Sequence, residues 1–274
     1  MTGILNEISY EYYFQKVRGN KVVTLTRIRN ESLILEDFLD HVSTFSDAII
    51  VFDDDSNDQT LEICRNHKKV CAIIRNRNWS SVGRSNQETL HRDILNTFSD
   101  EFFDFSWKFY LDADERLVGN IREDILKLNV DEVHYIRIPL YDAYLTEHDN
   151  KAFTNKSTLL NGREYFGIER RDIIFAWNVN AKAEYILDDA REPSVSSDQY
   201  LTIFACQHYG KAISSDKWDQ KCHYYIDNFP YEVYGKKWTE RLGQSIHKES
   251  DFSTPLYPWG EVLFSNSQKI HPIN

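Results

Sequence analysis

The stretch W-K-F-Y-L-D-A-D-E-R-L, residues 107–117, indicates how the chain folds. Residues 107–111 form a short aromatic and aliphatic run with strand character, and the run stops at three carboxylates, Asp112, Asp114 and Glu115. Residues two apart in a strand point to the same face, so Asp112 and Asp114 would converge if the extended backbone continued. Two carboxylates on one side suit Mg²⁺ or Mn²⁺. An acidic, solvated turn after a strand would give the same letters, because Asp-x-Asp is a short pattern.

The composition of the 274-residue chain is that of a folded protein with a negative charge. Hydrophobic residues make up 41% of it and aromatic residues 14%, which is enough for a core. The net charge of −11 argues against a nucleic-acid partner and against a broad anionic-membrane footprint. The four cysteines have no Cys-x-x-Cys spacing, which favours reduced thiols and a cytoplasmic setting. We expect neither a secretion signal nor a membrane span, because no apolar run has the required pattern or length.

Strand-like and helix-like segments alternate ahead of the acidic stretch. β-rich runs lie at residues 21–26, 48–52 and 70–74. Between them, apolar residues recur at helical steps, as in the series Leu35, Phe38, Leu39, Val42 and Phe45. Ser56 followed by Gln59 predicts a capping box at the start of the second helix. Together these patterns predict an α/β fold with a mixed, mostly parallel sheet flanked by helices.

Polar or charged groups follow three of the predicted strands. They lie at residues 26–29, 53–55 and 112–115. In open sheets of this class, ligands bind beyond the carboxyl ends of the strands. A dinucleotide-binding Rossmann domain is the obvious rival, but it needs a glycine-rich turn, and no G-x-G occurs in the chain.

Four motifs in this half of the chain also carry a resemblance. The chain reads V-V-T-L-T-R-I-R-N-E from residue 22, I-I-V-F-D-D-D-S-N-D-Q-T from residue 49, R-N-R-N-W from residue 75 and L-D-A-D-E-R from residue 111. Their order resembles that of the family 2 glycosyltransferases with the GT-A fold, over roughly residues 20–120. The D-A-D-E motif is similar to that of the branch found in lipopolysaccharide and capsule assembly. The resemblance implies a nucleotide-sugar donor, with a UDP-sugar as first choice, Mn²⁺ or Mg²⁺, and transfer with inversion to a glycan or glycolipid hydroxyl.

Carried over by position, the resemblance implies roles for single residues. Thr26 and Arg27 would flank the nucleotide, and Asp54 would accept a hydrogen bond from its base. Asp112 would lie near the ribose or the metal, and Asp114 would bind the metal that bridges the diphosphate. Asp55 departs from the family, which usually has glycine or another small residue there.

Basic and aromatic residues after the third strand add to this interpretation. Arg84 and Arg92 resemble basic positions of this branch that face the diphosphate, although solvated helix charges would give the same pattern. Trp79 suits either a sugar pocket or the core. A metal beside the diphosphate would stabilise the charge that develops as this group leaves.

The second half of the chain supplies the remaining candidates. His208, in the H-Y-G at residues 208–210, resembles a third protein ligand of the metal, with Lys211 or Lys221 near the phosphates; a lone histidine is also often structural. An inverting transfer needs a carboxylate as general base. Glu184 is the first choice because its K-A-E context resembles a short motif of related proteins, and Asp189 is the second. Surface charge would explain either residue.

The domain boundaries and the alternatives follow from these assignments. The catalytic domain is predicted at residues 1–210, with a nucleotide-binding part at about 20–120 and an acceptor part at about 121–210. Residues 211–274 would form a helical, aromatic-rich extension. The main alternative is a non-catalytic nucleotide-sugar or glycan-binding protein with the same fold. A nucleotidyltransferase fits less well, because no glycine-rich phosphate loop follows the first strand. A lipid-linked acceptor would bring this cytoplasmic chain to the inner face of the membrane.

Overall fold

The structure is a computed structural model that describes residues 8–12, 22–102, 104–149, 151–186 and 190–268. The first half of the chain contains β1 (Ile8–Tyr12), β2 (Val22–Ile28), α1 (Leu35–Ser43), β3 (Ala48–Asp54), α2 (Thr60–Asn66), β4 (Val70–Asn76), α3 (Arg84–Phe102) and β5 (Trp107–Tyr110). The second half contains β6 (Glu115–Val118), α4 (Ile121–Ile125), β7 (Tyr135–Ala143), β8 (Tyr165–Trp177), β9 (Tyr200–Thr202), β10 (Ala205–His208), α5 (Ser215–Asn228), α6 (Lys236–Arg241), β11 (Tyr257–Pro258) and α7 (Glu261–Gln268). A 3₁₀ turn at Val179–Ala181 and a π-helical turn at Tyr231–Gly235 complete the regular elements of these ranges.

The strands form one sheet in the order β1-β4-β3-β2-β5-β8-β7-β10-β6, with β9 beside β7 and β11 beside β8. The four strands β4, β3, β2 and β5 are parallel neighbours. β8 runs antiparallel to both β5 and β7, whereas β10 is parallel to β7 and antiparallel to β6. The predicted α/β fold, with a mixed sheet that is mostly parallel at its centre, is therefore confirmed.

Two apolar layers cover the faces of the parallel centre. Ile49 and Val51 of β3 pack in the layer that contains Phe38 of α1. Ile50, between them, packs in the opposite layer with Leu95 of α3. Side chains alternate along a strand, so a strand covered on both faces must be apolar throughout. Burial of each such side chain stabilises the fold by about 1.5–3 kcal/mol.

The register of β10 brings distant parts of the chain together. β10 lies between β6 and β7, and His208 at its end is opposite Glu115 of β6 and Asp142 of β7. The backbone N–H of Tyr209 then donates to the carbonyl of Asp114 at 2.8 Å. His208 therefore lies beside the acidic motif, although almost a hundred residues separate them in sequence.

The segment after residue 210 packs against the sheet and also forms an aromatic cluster of its own. Trp218 and Cys222 of α5 pack with Trp238 of α6, and the ring of Tyr225 stacks on Trp238 with centroids 4.6 Å apart. β11 pairs with β8, and Leu263 of α7 belongs to the main core. Because the segment packs against the sheet as well as forming its own aromatic cluster, the predicted domain boundary at residue 210 stays a prediction.

Two features relate to the predicted cytoplasmic setting, namely the state of the cysteines and the length of the apolar helices. All four cysteines are free and buried. Burial raises the pKa of Cys71 to about 12, so this thiol is protonated and unreactive at neutral pH. Within the described ranges, no helix is both long and apolar enough to cross a membrane.

Candidate functional site

A buried carboxylate, Asp54, lies at the edge where β2, β3 and β5 end. Its side chain is fully buried. Its oxygens accept hydrogen bonds from Arg27 Nη2 at 2.7 Å, from Asn76 Nδ2 at 2.8 Å and from Arg84 Nη2. Burial alone would raise the pKa of Asp54, but the positive charges of Arg27 and Arg84 and the hydrogen bond from Asn76 lower it to about 2. Asp54 is thus an ionised anchor, and its hydrogen bond to a donor base stays a prediction.

The two arginines beside this carboxylate are held by further contacts. Arg27 Nε donates to His91 Nδ1 at 3.2 Å, and Arg84 Nε donates to the hydroxyl of Tyr224 on α5 at 3.1 Å. Arg84 is fully buried, whereas Arg27 keeps 12% of its side chain exposed. The hydroxyl of Thr26 is buried and has no hydrogen-bond partner in the described part of the chain. These side chains form the floor of the site, and their contacts with a nucleotide stay predictions.

Trp79 and Asp55 border this floor. The guanidinium of Arg29 lies 4.3 Å from the ring centroid of Trp79, and that of Arg84 lies 5.5 Å away. The backbone N–H of Trp79 donates to Asp55 Oδ2 at 3.3 Å. Asp55 has a φ of +59°, in the left-handed region that glycine adopts most readily. Asp55 therefore adopts a backbone conformation that costs a glycine less than an aspartate.

Asp112 is paired with Arg191, a residue that the sequence interpretation did not single out. Arg191 Nε lies 2.9 Å from Asp112 Oδ2, and Arg191 Nη2 donates to both oxygens of Glu115, at 2.9 and 2.7 Å. Glu115 also accepts from the backbone N–H of Asp112 at 2.8 Å. Burial alone would lower the pKa of Arg191, but Asp112 and Glu115 raise it well above its usual value. Arg191 is therefore a permanent cation that orders the acidic motif.

Arg92 reaches the same carboxylate through Tyr110. Arg92 Nε donates to the hydroxyl of Tyr110 at 3.2 Å, and that hydroxyl donates to Asp112 Oδ1 at 3.2 Å. The guanidinium groups of Arg191 and Arg92 lie 4.7 and 5.6 Å from the ring centroid of Tyr110. Two cations thus flank this ring beside Asp112, and the contact of Arg92 with a diphosphate stays a prediction.

Asp114 and His208, both predicted metal ligands, lie side by side. His208 Nε2 is 3.4 Å from Asp114 Oδ2, and His208 Nδ1 is 2.5 Å from Asp142 Oδ1. A carboxylate behind the imidazole is the arrangement that orients metal-binding histidines. Burial alone would lower the pKa of His208, but Asp114 and Asp142 raise it to about 10. The imidazole is therefore protonated on both nitrogens at neutral pH, and a metal ion would have to displace the proton on Nε2.

Gly210 leaves a space between these polar groups. A Cβ atom at residue 210 would lie 2.7 Å from Asp114 Oδ2, 2.8 Å from His208 Nε2 and still closer to Lys221 Nζ. A carboxylate and an imidazole that face one space suit a divalent ion completed by phosphate oxygens and water. Among the described residues, no group of three or more His, Cys, Asp and Glu side chains is arranged to hold a metal ion. An ion at this place would therefore depend on ligands from a substrate.

The two lysines predicted near phosphate differ in their surroundings. Lys211 Nζ donates to Asp142 and lies 2.9 Å from Asp251 Oδ2, so two carboxylates already neutralise its charge. Lys221 Nζ lies 4.0 Å from Asp114 Oδ2 and keeps 26% of its side chain exposed. Lys221 is therefore the more accessible of the two cations.

The candidates for a general base lie in different places. Glu184 is exposed and lies beside Asp93 of α3, whose pKa is raised by burial and by the charge of Glu184. Asp189 falls outside the described residues. Glu31, in the R-I-R-N-E motif, is a carboxyl whose pKa is raised to about 7, mainly by burial and further by the charge of Asp114. A carboxyl with such a pKa can accept a proton at neutral pH. The assignment of the base stays a prediction.

The residues missed from sequence differ in the signal they left. Asp142 is an aspartate within the otherwise apolar and buried end of β7, which is a detectable sign of a partnered charge. Glu31 lies in the R-I-R-N-E motif at residues 27–31, so its position was marked but its role was not. Arg191 lies in an irregular segment with no periodic pattern, so nothing local marks it.

Comparisons with known proteins give weak likenesses. No family model matches the chain, and no curated protein matches it. Among solved structures, the chain is similar to residues 1–349 of S. aureus TarS, with 12% identity and a TM-score of 0.38, over 78% of this chain and 67% of that one. A longer TarS chain matches at 13% identity and a TM-score of 0.38, over 78% of this chain and 41% of that one.

A second likeness is to the glucosyl-3-phosphoglycerate synthase of Mycobacterium tuberculosis, crystallised with Mn²⁺, UDP and glucosyl-3-phosphoglycerate. It has 15% identity and a TM-score of 0.30, and the match covers 44% of each chain. The matched part is thus less than half of the synthase and of the longer TarS chain.

Proposed function

We propose that the chain is an inverting glycosyltransferase that moves a sugar from a nucleotide-sugar donor to a hydroxyl of a glycan or glycolipid. A UDP-sugar is the donor that we propose first, in a domain of the GT-A type. The supporting observation is the space beside Gly210, where Asp114, His208 and Lys221 face one another. It lies beyond the carboxyl end of β5, where ligands bind in sheets of this class. An acceptor carried on a lipid would place the reaction at the inner face of a membrane.

The charges of this space fit a metal-bound diphosphate. Asp114 and His208 would hold Mn²⁺ or Mg²⁺, which would supply positive charge to the leaving diphosphate. Lys221 would add a second positive charge at the same place. Asp112, held by Arg191, would present its free edge towards the ribose, since 32% of its side chain is exposed.

The floor of the site would carry the nucleotide. Arg27 keeps 12% of its side chain exposed and is fixed by the buried Asp54, so it would present a rigid surface to the base. Rigid groups lose little conformational freedom on binding, which favours affinity. For the acceptor proton we propose Glu31 as the base, because this half-buried carboxyl lies within range of the charge of Asp114 and burial raises its pKa to about 7. Glu184 stays the alternative from the sequence.

The test is the release of nucleoside diphosphate from a panel of nucleotide sugars with Mn²⁺. The wild-type chain should release UDP slowly from one UDP-sugar, and Asp114→Asn should abolish the release while the chain remains folded at the assay temperature. Asp124→Asn is the matched control, because it makes the same change at a carboxylate of α4 that is 47% exposed. Binding without release in the wild-type chain would favour the non-catalytic nucleotide-sugar-binding protein. Absence of both binding and release for every donor would refute the proposal.

A further inference from the structure

A chain of alternating charges runs from His208 into the carboxy-terminal segment. His208 Nδ1 lies 2.5 Å from Asp142 Oδ1, and Asp142 Oδ2 accepts from Lys211 Nζ. Lys211 Nζ also lies 2.9 Å from Asp251 Oδ2, and Arg241 Nη1 lies 2.9 Å from the same oxygen. Each contact joins opposite charges, so a displacement of one side chain changes the electrostatic attraction that holds the next one.

The middle of this charge chain is shielded from water. Asp142 and Lys211 keep only 5% and 9% of their side chains exposed, and Asp251 keeps 15%. Salt screens such contacts little, and a buried charge that loses its partner is costly. The position of each member therefore depends strongly on its neighbours.

Tyr144 fixes the far end of the charge chain. Its hydroxyl accepts a hydrogen bond from Lys211 Nζ at 3.2 Å and another from the backbone N–H of Asp251 at 3.0 Å. Tyr144 directly follows the end of β7 and is itself buried, with 1% of its surface exposed. The backbone and the side chain of Asp251 are therefore both tied to Lys211.

We propose that Asp251 and Arg241, which lie far from His208 in sequence, are positioning residues for its imidazole. The link passes through the buried pair of Lys211 and Asp142. Without the carboxylate of Asp251, Lys211 keeps Asp142 as its only carboxylate among the contacts above and moves towards it. Asp142 then releases or rotates its hydrogen bond to the imidazole, which turns Nε2 away from the space beside Gly210.

The inference rests on the proposed function only where it treats His208 as a metal ligand. The orientation of the imidazole itself is a property of the chain without metal or substrate. The carboxy-terminal segment would thus complete the site from behind, rather than contribute a group that touches the substrate.

Proton NMR of the full chain with ¹⁵N-labelled histidine observes this arrangement directly. An imidazole Nδ1–H held in a short hydrogen bond by a carboxylate gives a far-downfield resonance, and His208→Gln assigns it. We expect Asp251→Asn to broaden this resonance or move it upfield, and Arg241→Gln to do so to a lesser degree. Asp227→Asn, the same chemical change at an exposed position of α5, should leave it unchanged. A wild-type chain without the resonance, or folded Asp251→Asn and Arg241→Gln chains that both keep it unchanged, would overturn the proposal.

Manganese affinity, measured by electron paramagnetic resonance in the presence of UDP, gives an independent readout. Changes behind a metal-binding histidine typically lower metal affinity by about 10–100-fold, so we expect a loss of about 10-fold in Asp251→Asn. If the wild-type chain binds no Mn²⁺ but the NMR results are as expected, the proposed function fails while the positioning role stands. If Mn²⁺ binds and neither variant changes the affinity or the resonance, the positioning role fails alone.

Discussion

Replacing Asp54 by asparagine removes the carboxylate that Arg27 and Arg84 both contact, with almost no change in side-chain volume. The effect should therefore be one of charge rather than of packing. Asp54 is fully buried, so solvent provides no replacement for its charge. We expect Asp54→Asn to lower the stability of the fold in addition to any effect on nucleotide binding.

The size of the loss follows from the pKa of Asp54, about 2 in the folded chain. Compared with about 3.9 for a free aspartate, it corresponds to ~2.5 kcal/mol of stability at neutral pH. Because the pKa in the folded chain is the lower one, this contribution is complete above about pH 5 and is lost as the pH falls through 4 towards 2. In Asp54→Asn, the guanidinium groups of Arg27 and Arg84 also share one hydrogen-bond acceptor fewer, which lowers the stability further at any pH. We therefore expect a total loss of ~3 kcal/mol in the free energy of unfolding at pH 7.

Urea denaturation followed by tryptophan fluorescence measures this difference. The free energy of unfolding of Asp54→Asn should approach that of the wild-type chain on acidification, with a difference at pH 3 about 1 kcal/mol smaller than at pH 7. Asp124→Asn, at an exposed position, should stay within about 0.5 kcal/mol of the wild-type chain at neutral pH. A difference for Asp54→Asn that is the same at both pH values would refute the ionised, enclosed state of Asp54.

Two further substitutions test the other parts of the site. Arg191→Gln should lower the free energy of unfolding by about 3 kcal/mol, because Asp112 and the buried Glu115 lose their shared cation. Urea denaturation measures this change in stability, and a loss below ~1 kcal/mol would contradict the pairing. Glu31→Gln should lower turnover of the proposed reaction by about 100-fold at unchanged donor affinity, because it removes the proposed base. Glu184→Gln is the matched comparison in the same assay, and a larger loss of turnover there would return the role of base to Glu184.

The parallel centre of the sheet was predictable because its signals are local. β3 is apolar on both faces and α1 has its apolar residues at helical spacing, so each element is marked within its own letters. The same strands end in carboxylates, and parallel strands bring such ends to one edge. The presence of Asp54 and Asp112 at this edge therefore followed from periodicity alone.

No local pattern marks the partners of these carboxylates, because the contacts depend on long-range register; only the family resemblance placed His208 near Asp114. His208 lies beside Asp114 only because β10 inserts between β6 and β7, and no local pattern sets that order. Arg191 reaches Asp112 from an irregular segment about 80 residues further along. Such contacts are decided by packing of the whole sheet rather than by the propensity of any segment.

The predicted capping box at Ser56 and Gln59 was wrong for a similar reason. α2 begins at Thr60, and Gln59 caps it without a side-chain hydrogen bond. The hydroxyl of Ser56 accepts from the backbone N–H of Asn30 at 3.0 Å, and that of Thr60 accepts from the backbone N–H of Glu31 at 2.8 Å. These side chains tie the end of β2 to the loop after β3, so a tertiary contact replaces the local cap.

The most direct measurement is a calorimetric titration of UDP, with and without Mn²⁺, into the wild-type chain and into Gly210→Ala. The added Cβ would occupy the space between Asp114 Oδ2 and His208 Nε2, which lie 2.7 and 2.8 Å from it. We expect Mn²⁺ to strengthen the binding of UDP to the wild-type chain, and the folded Gly210→Ala chain to lose this dependence. A wild-type chain that binds no nucleotide, or a Gly210→Ala chain with undiminished Mn²⁺-dependent binding, would contradict a metal-diphosphate site beside Gly210.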